Sequence, residues 1–172
     1  MWGGTDDEAA VKALQRSIEL GVTTIDTAPV YGFGHSERVI ARAIAGRRDK
    51  VQLLTKFGLE WDGVEGLFHF EALDPDGRPV KVYRNGRKKR VIAECEQSLK
   101  HLGTDCIDLY QQHWPDPSTP IEETFEAVAQ LLKEGKIRAV GVSNYSVEQV
   151  EAVREVVPLA CVQPAYSMIN RG

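Results

Sequence analysis

Cysteine is scarce, and no Cys-x-x-Cys occurs: Cys95, Cys106 and Cys161 lie far apart. Such an odd, sparse set excludes a disulfide framework and reads as reduced thiols in a cytoplasmic protein. No apolar run approaches the roughly 20 residues that a membrane-spanning helix needs, and no secretory signal opens the chain. A large charge of one sign is also missing. The 21 Lys and Arg stand against 25 Asp and Glu, a formal charge of −4, which argues against a nucleic-acid surface. What is present is ordinary: 42% hydrophobic and 27% charged residues over 172 positions. That composition excludes disordered and fibrous classes, and the length allows one core of moderate size.

Amphipathic and continuous apolar segments alternate along the chain. Thr5-Asp6-Asp7-Glu8 fits a capping box, and Val11, Leu14 and Ile18 follow at helical spacing until Gly21. Val22 to Asp26 is short and β-branched, a strand. A glycine-bearing loop, Pro29 to Gly34, leads to a helix over Ser36 to Ala45, and Val51 to Lys56 is the next strand. A helix over Lys88 to His101 precedes a strand that starts at Cys106 and continues to His113. Thr119-Pro120-Ile121-Glu122 combines an N-cap, a first-turn proline and a capping-box Glu. Ile137 to Val142 is a strand, Ser146-Val147-Glu148-Gln149 opens another helix, and Ala160 to Gln163 is a last short strand. Between Leu59 and Asn85 the pattern changes. Two alternating runs, Phe68 to Ala72 and Pro79 to Tyr83, flank Asp74-Pro75-Asp76-Gly77 and predict a β-hairpin in a strand-to-helix loop. Long loops of that type usually carry function or cover a site. The basic run Arg84 to Arg90 reads as a solvated loop and helix entry.

Strands apolar on both faces, alternating with helices, mean a parallel sheet covered by helices. Doubly wound sheets and (β/α)8 barrels both fit that periodicity. Polar residues that are costly to bury stand at the strand ends: Asp26, Lys56, His113, Ser143 with Asn144, and Gln163. Tyr31 lies in the loop after Asp26. Five consecutive strands contributing to one rim favour the barrel, where active sites form at the strand C-termini.

The set also makes chemical sense. A free phenol has a pKa near 10, and a nearby ammonium such as Lys56 lowers it. Asp26 would fix Lys56 and keep it charged. His113 could orient a bound carbonyl, leaving Tyr31 as a proton donor for a developing alkoxide. Taken alone, Asp26 with Lys56 also fits a structural ion pair, and the functional reading rests on the four residues sharing one rim. His35, His69 and His101 read as structural or surface residues. One rim histidine without a thiolate cluster predicts no metal site.

Asp26-Thr27-Ala28-Pro29-Val30-Tyr31-Gly32, Leu54-Thr55-Lys56, Gln112-His113-Trp114-Pro115-Asp116 and Gly141-Val142-Ser143-Asn144-Tyr145 resemble the aldo-keto reductase superfamily in order and spacing, over essentially the whole chain. The hairpin resembles that of bacterial members related to general-stress-protein reductases. The resemblance implies an α/β fold, a (β/α)8 TIM barrel that is incomplete here, with roughly strands 2–6 and their helices. Residues 1–172 would form one partial barrel domain, with 59–87 as a hairpin insertion after the third barrel strand. It implies an NADPH-dependent oxidoreductase that reduces aldehydes or ketones to alcohols, with a catalytic tetrad of Asp26, Tyr31, Lys56 and His113. Tyr31 would be the general acid. Asp26, Ser143, Asn144 and Gln163 would contact NADP(H), the last three at the nicotinamide carboxamide. Trp2, Phe33, Phe57 and Trp114 would wall a pocket for a small carbonyl or alcohol substrate, with no nucleic-acid or membrane partner.

Such barrels take about 250 residues, so these 172 are expected to be part of a longer protein. The family's 2′-phosphate contacts, from the loop after the eighth strand, and its nicotinamide-stacking aromatic are absent. Two rival readings follow: a non-catalytic cofactor-binding barrel serving as a regulatory subunit, and an inactive barrel fragment with unpaired edges.

Overall fold

A computed structural model of the chain describes residues 6–169. The elements run α1 (Asp7–Glu19), β1 (Thr24–Asp26), α2 (His35–Ile44), β2 (Gln52–Phe57), β3 (Leu59–Glu60), β4 (Leu67–Leu73), β5 (Pro79–Arg84), α3 (Lys88–Leu102), β6 (Leu109–Gln112), α4 (Ile121–Lys133), β7 (Val140–Ser143), α5 (Val147–Arg154) and β8 (Cys161–Gln163). A short 3-10 turn, Arg48–Lys50, precedes β2.

Five strands form a parallel sheet in the order β1-β2-β6-β7-β8. The order never reverses, whereas a doubly wound sheet reverses at its ligand crevice. One apolar layer lies between the sheet and the helices: Leu53, Phe57, Tyr110 and Val142 pack with Ile40, Val91, Phe125 and Val153. Strand geometry explains the sidedness, because successive side chains point to opposite faces. Leu53, Thr55 and Phe57 of β2 face the helices, and Lys56 faces the other way. The register sets Lys56 beside Gln111 and Gln111 beside Gly141. On the inner face, then, polar side chains lie side by side. A Cβ at Gly141 would come within 2.8 Å of the Gln111 Cγ, so glycine there makes room for that side chain.

The predicted hairpin is present as β4 and β5, antiparallel, with β3 added on the other side of β5. Its turn is closed by Asp74, whose Oδ1 accepts from the backbone N–H of Asp76 (2.9 Å) and Arg78 (2.8 Å). The hairpin folds back over the β1 loop: Leu59, Trp61, Phe70 and Val82 pack with Ala28, Val30, Phe33 and Trp114.

Three helix starts differ in instructive ways. The Ser146 box forms as read, with Ser146 and Gln149 bonded reciprocally. In α1 the cap is Asp6, whose Oδ1 accepts from Ala9 N–H at 2.9 Å, while Thr5 lies outside the described residues. Thr119 does not cap α4, since its hydroxyl donates to Asp116 Oδ2 at 2.7 Å and Pro120 takes the cap position without a side-chain bond. Asp116 draws Thr119 away because its carboxylate also gathers Gly86 N–H (2.8 Å) and Ser118 (2.6 Å), tying the loop after β6 to the base of the hairpin.

Candidate active site

Parallel strands place their C-terminal ends on one rim, and Asp26, Lys56, His113, Ser143 and Gln163 all lie there. Lys56 is 2% exposed. Its ammonium donates to Asp26 Oδ2 at 2.6 Å and to the Thr27 carbonyl at 3.0 Å. Asp26 opens to solvent on its other side, and its Oδ1 accepts from Gln111 Nε2 at 3.4 Å.

Tyr31 is placed by a loop that closes on itself. Its N–H donates to the Ala28 carbonyl (3.0 Å) and its own carbonyl accepts from Ser36 N–H (3.2 Å). Gly34 ends that loop at φ +85°, and a Cβ there would meet His101 at 2.5 Å, so only glycine fits both the left-handed backbone and the space. The Tyr31 ring then lies with its centroid 5.5 Å from Lys56 Nζ and 5.8 Å from the His113 ring, edge to face. At 38% exposure, the ring remains open to a small molecule.

Environment sets the proton states. The Tyr31 phenol is raised above its ordinary pKa, by burial first and by the Asp26 charge second. The expected lowering by Lys56 does not dominate, because that ammonium is already paired with Asp26 at 2.6 Å. His113 is pushed down to about 4, by burial first, then by the Lys56 and His69 charges, which makes it a neutral imidazole near neutral pH. Its backbone is fixed on both sides: its N–H donates to the Phe57 carbonyl (2.9 Å), and its carbonyl accepts from Asn144 Nδ2 (2.9 Å). Asn144 takes a left-handed φ of 61°, which asparagine tolerates better than most residues.

Of the residues expected to meet the cofactor, Ser143 directs its hydroxyl into the sheet, donating to the Gln163 carbonyl at 2.9 Å. The Asn144 amide lies beside it, and Gln163 is exposed at the end of β8. The proposed pocket wall divides. Phe57 is not on it: one position from Lys56, it faces the helices, 1% exposed and stacked on Tyr110 at 4.6 Å. Phe33 packs on Trp61 at 5.3 Å, within the cluster that joins the β1 loop to the hairpin, and Trp114 joins the same cluster. Trp2 lies outside the described residues.

Sequence reasoning missed four contributors. Gln111 supports Asp26, and its position two residues before His113 on one strand face was the available signal. The Thr27 carbonyl receives Lys56, a backbone contact that no side-chain pattern announces. His69, read as structural or surface, and Arg84, read as part of a solvated run, flank Trp114 from the hairpin.

Residues 1–172 match the model of the aldo/keto reductase family. The chain belongs to that family. It is 44% identical over 173 residues to the aldo-keto reductase YhdN of Bacillus subtilis, covering 99% of this chain and 47% of that protein. To the NADH-specific methylglyoxal reductase of Escherichia coli it is 32% identical, covering 99% and 52%. The structure of the glycerol dehydrogenase AKR11B4 from Gluconobacter oxydans superposes with a TM-score of 0.85 at 44% identity, covering 99% of this chain and 49% of that one. An aldo/keto reductase from Klebsiella pneumoniae in complex with NADP and acetate gives 0.76 at 34%, covering 96% and 51%. The chain thus spans about half the length of these relatives. Its open, sequentially ordered sheet is an incomplete (β/α)8 barrel.

Proposed function

We propose that this aldo-keto reductase chain carries the catalytic residues of an NADPH-dependent carbonyl reductase, with Tyr31 as general acid. The observation that carries this reading is the convergence of four groups from three strand ends. An ammonium held by a carboxylate lies under a half-open phenol ring, with a neutral imidazole at the ring's edge.

Each group has work that its surroundings suit. Tyr31, raised by burial, keeps its proton at neutral pH and gives it up only to something more basic than a phenolate, which a developing alkoxide is. Lys56 beneath the ring then favours the phenolate left behind. Asp26 and the Thr27 carbonyl satisfy the ammonium, so its position does not depend on substrate. His113, neutral, has one ring N–H with which to hold the carbonyl oxygen toward Tyr31.

The rim residues fit a nicotinamide carboxamide, which needs both a donor and an acceptor. Gln163, exposed beside Ser143, presents an amide with both, and Asn144 lies next to them. NADP(H), when bound, supplies the hydride that reaches the carbonyl carbon while the oxygen takes the Tyr31 proton. The Klebsiella structure contains NADP, which supports this choice, whereas the Escherichia coli relative bears the name of an NADH-specific enzyme.

Absorbance at 340 nm tests the proposal, with NADPH and a reactive aromatic aldehyde. Wild type is expected to consume NADPH, and Tyr31→Phe to lose about 10²–10⁴-fold in kcat, the usual size of a positioned general acid. Normal turnover by Tyr31→Phe would remove the assigned acid.

A further inference from the structure

The hairpin brings two nitrogen-bearing side chains to the rim that the reaction above does not use. His69 lies on β4, and Arg84, partly buried, ends β5. The Arg84 guanidinium stands 5.1 Å from the centroid of the Trp114 ring, and the His69 ring 5.2 Å from the same ring. Trp114 directly follows His113. His69 is also close enough to His113 for its charge to act on that ring. The cluster therefore sits beside the carbonyl-orienting imidazole, on the side of the hairpin that faces the β1 loop.

Among the described residues the acceptors of Arg84 are a ring nitrogen and a carbonyl, and none is a carboxylate. Its Nε–H and Nη2–H donate to His69 Nδ1 (3.3 and 3.1 Å), and its Nη1–H to the Pro115 carbonyl (3.4 Å). Two other arginines of the same basic run behave differently. Arg87 pairs with Glu65 and Arg90 with Asp62, each at 2.7 Å. Among the described residues Arg84 forms no ion pair. A guanidinium has five N–H donors in a fixed fork that matches a carboxylate, and the three bonds above leave two of them for another acceptor. Removing such a cation from water without a counter-ion is costly. The aromatic face of Trp114 offsets part of that cost, and an anion arriving with the substrate would offset the rest.

We infer that Arg84, seated on Trp114 and steadied by His69, receives a carboxylate carried by the carbonyl substrate, so that the preferred substrates are aldehydes or ketones that are also carboxylic acids. This rests on the carbonyl-reductase reading of the rim and adds a specificity-determining residue to it. The acid is bound through the hairpin, and the carbonyl is presented to Tyr31 and His113.

The test compares 4-carboxybenzaldehyde with its neutral methyl ester, in wild type, Arg84→Met and Arg84→Lys. Wild type is expected to favour the acid. In Arg84→Met the acid-over-ester ratio of kcat/KM should fall about tenfold or more, the size of one charge-assisted hydrogen bond. Arg84→Lys should keep part of the preference, because it keeps the charge and loses the fork. An unchanged ratio in Arg84→Met, including one in which both substrates decline together, would reduce Arg84 to a structural clamp and overturn the inference. A second arm needs no turnover: tryptophan fluorescence titrations with 4-(hydroxymethyl)benzoate and its methyl ester. Tighter binding of the acid by wild type, lost in Arg84→Met, supports the subsite, and equal binding by both proteins overturns it. If neither aldehyde is turned over, the reductase reading fails by itself, and this titration still decides the subsite.

Discussion

At the scale of single residues, one step along a strand decides between chemistry and core. Lys56 and Phe57 are neighbours, and the pleat sends them to opposite faces. Lys56 reaches Asp26, and Phe57 stacks on Tyr110 within the helix layer. The same alternation joins His113 to Gln111, whose Nε2 supports Asp26. His113 carries a pH signature. Its ring is pushed down to about 4 in the folded state, against an ordinary value near 6.5. Between those values the unfolded chain binds more protons, so acidification across that window destabilises the fold and raising the pH restores it. We expect the His113 ring protons to titrate near pH 4 by NMR, and His113→Asn to flatten the loss of melting temperature between pH 6.5 and 4. A midpoint near 6.5 would contradict the buried, cation-flanked setting.

At the scale of elements, α3 locks the root of the hairpin. Glu94 on α3 is buried, and its Oε2 accepts from Gly58 N–H at 2.7 Å, at the end of β2. Burial pushes Glu94 up to about 8, while Arg90 and the Gly58 bond pull the other way, and among the described residues its Oε1 has no hydrogen-bond partner. The sign is opposite to that of His113. The folded state holds this proton more tightly, so its stabilising effect is complete at acid pH and is lost as pH rises toward 8. Glu94→Gln keeps an acceptor for Gly58 without a charge. Its melting temperature relative to wild type should therefore rise as pH goes from 5 to 9, and a constant difference would show that Glu94 does not titrate there. Most helices and strands were legible, because they carry periodic apolar faces and several carry caps, whereas the two-residue β3 has no pattern to read. The Thr119 cap was misread, because Asp116, near in sequence but bound to the distant Gly86, draws that hydroxyl away.

At the scale of the whole molecule, the sheet has the proposed active-site residues at one end and a clamp at the other. On the opposite rim Asp108 gathers Arg48 (2.6 Å), Arg138 (2.7 Å) and Leu53 N–H (2.8 Å), a stabilising network around the strand starts. Both outer strands, β1 and β8, have a neighbour on one side only among the described residues. Val162 on β8 is 42% exposed. Unpaired strand edges are templates for association. The 172-residue chain alone is accordingly expected to elute above its 19.1 kDa mass and to bind a hydrophobic dye. A monomeric, dye-silent peak would show that the edges are protected.

The sequence by itself determined the alternation of strands and helices, the hairpin, and the order of polar residues at strand ends, because periodicity, caps and turn chemistry act between neighbours in the chain. It also carried the resemblance, through motifs that survive as short words. Only the tertiary structure decided which polar residues meet. Strand order placed Lys56 against Asp26, loop closure set Tyr31 over that pair, and the fold-back of the hairpin brought Arg84 and His69 to Trp114. Those contacts join segments tens of residues apart, and so do the proton states of Tyr31 and His113, which depend on burial and on charges that no local pattern encodes.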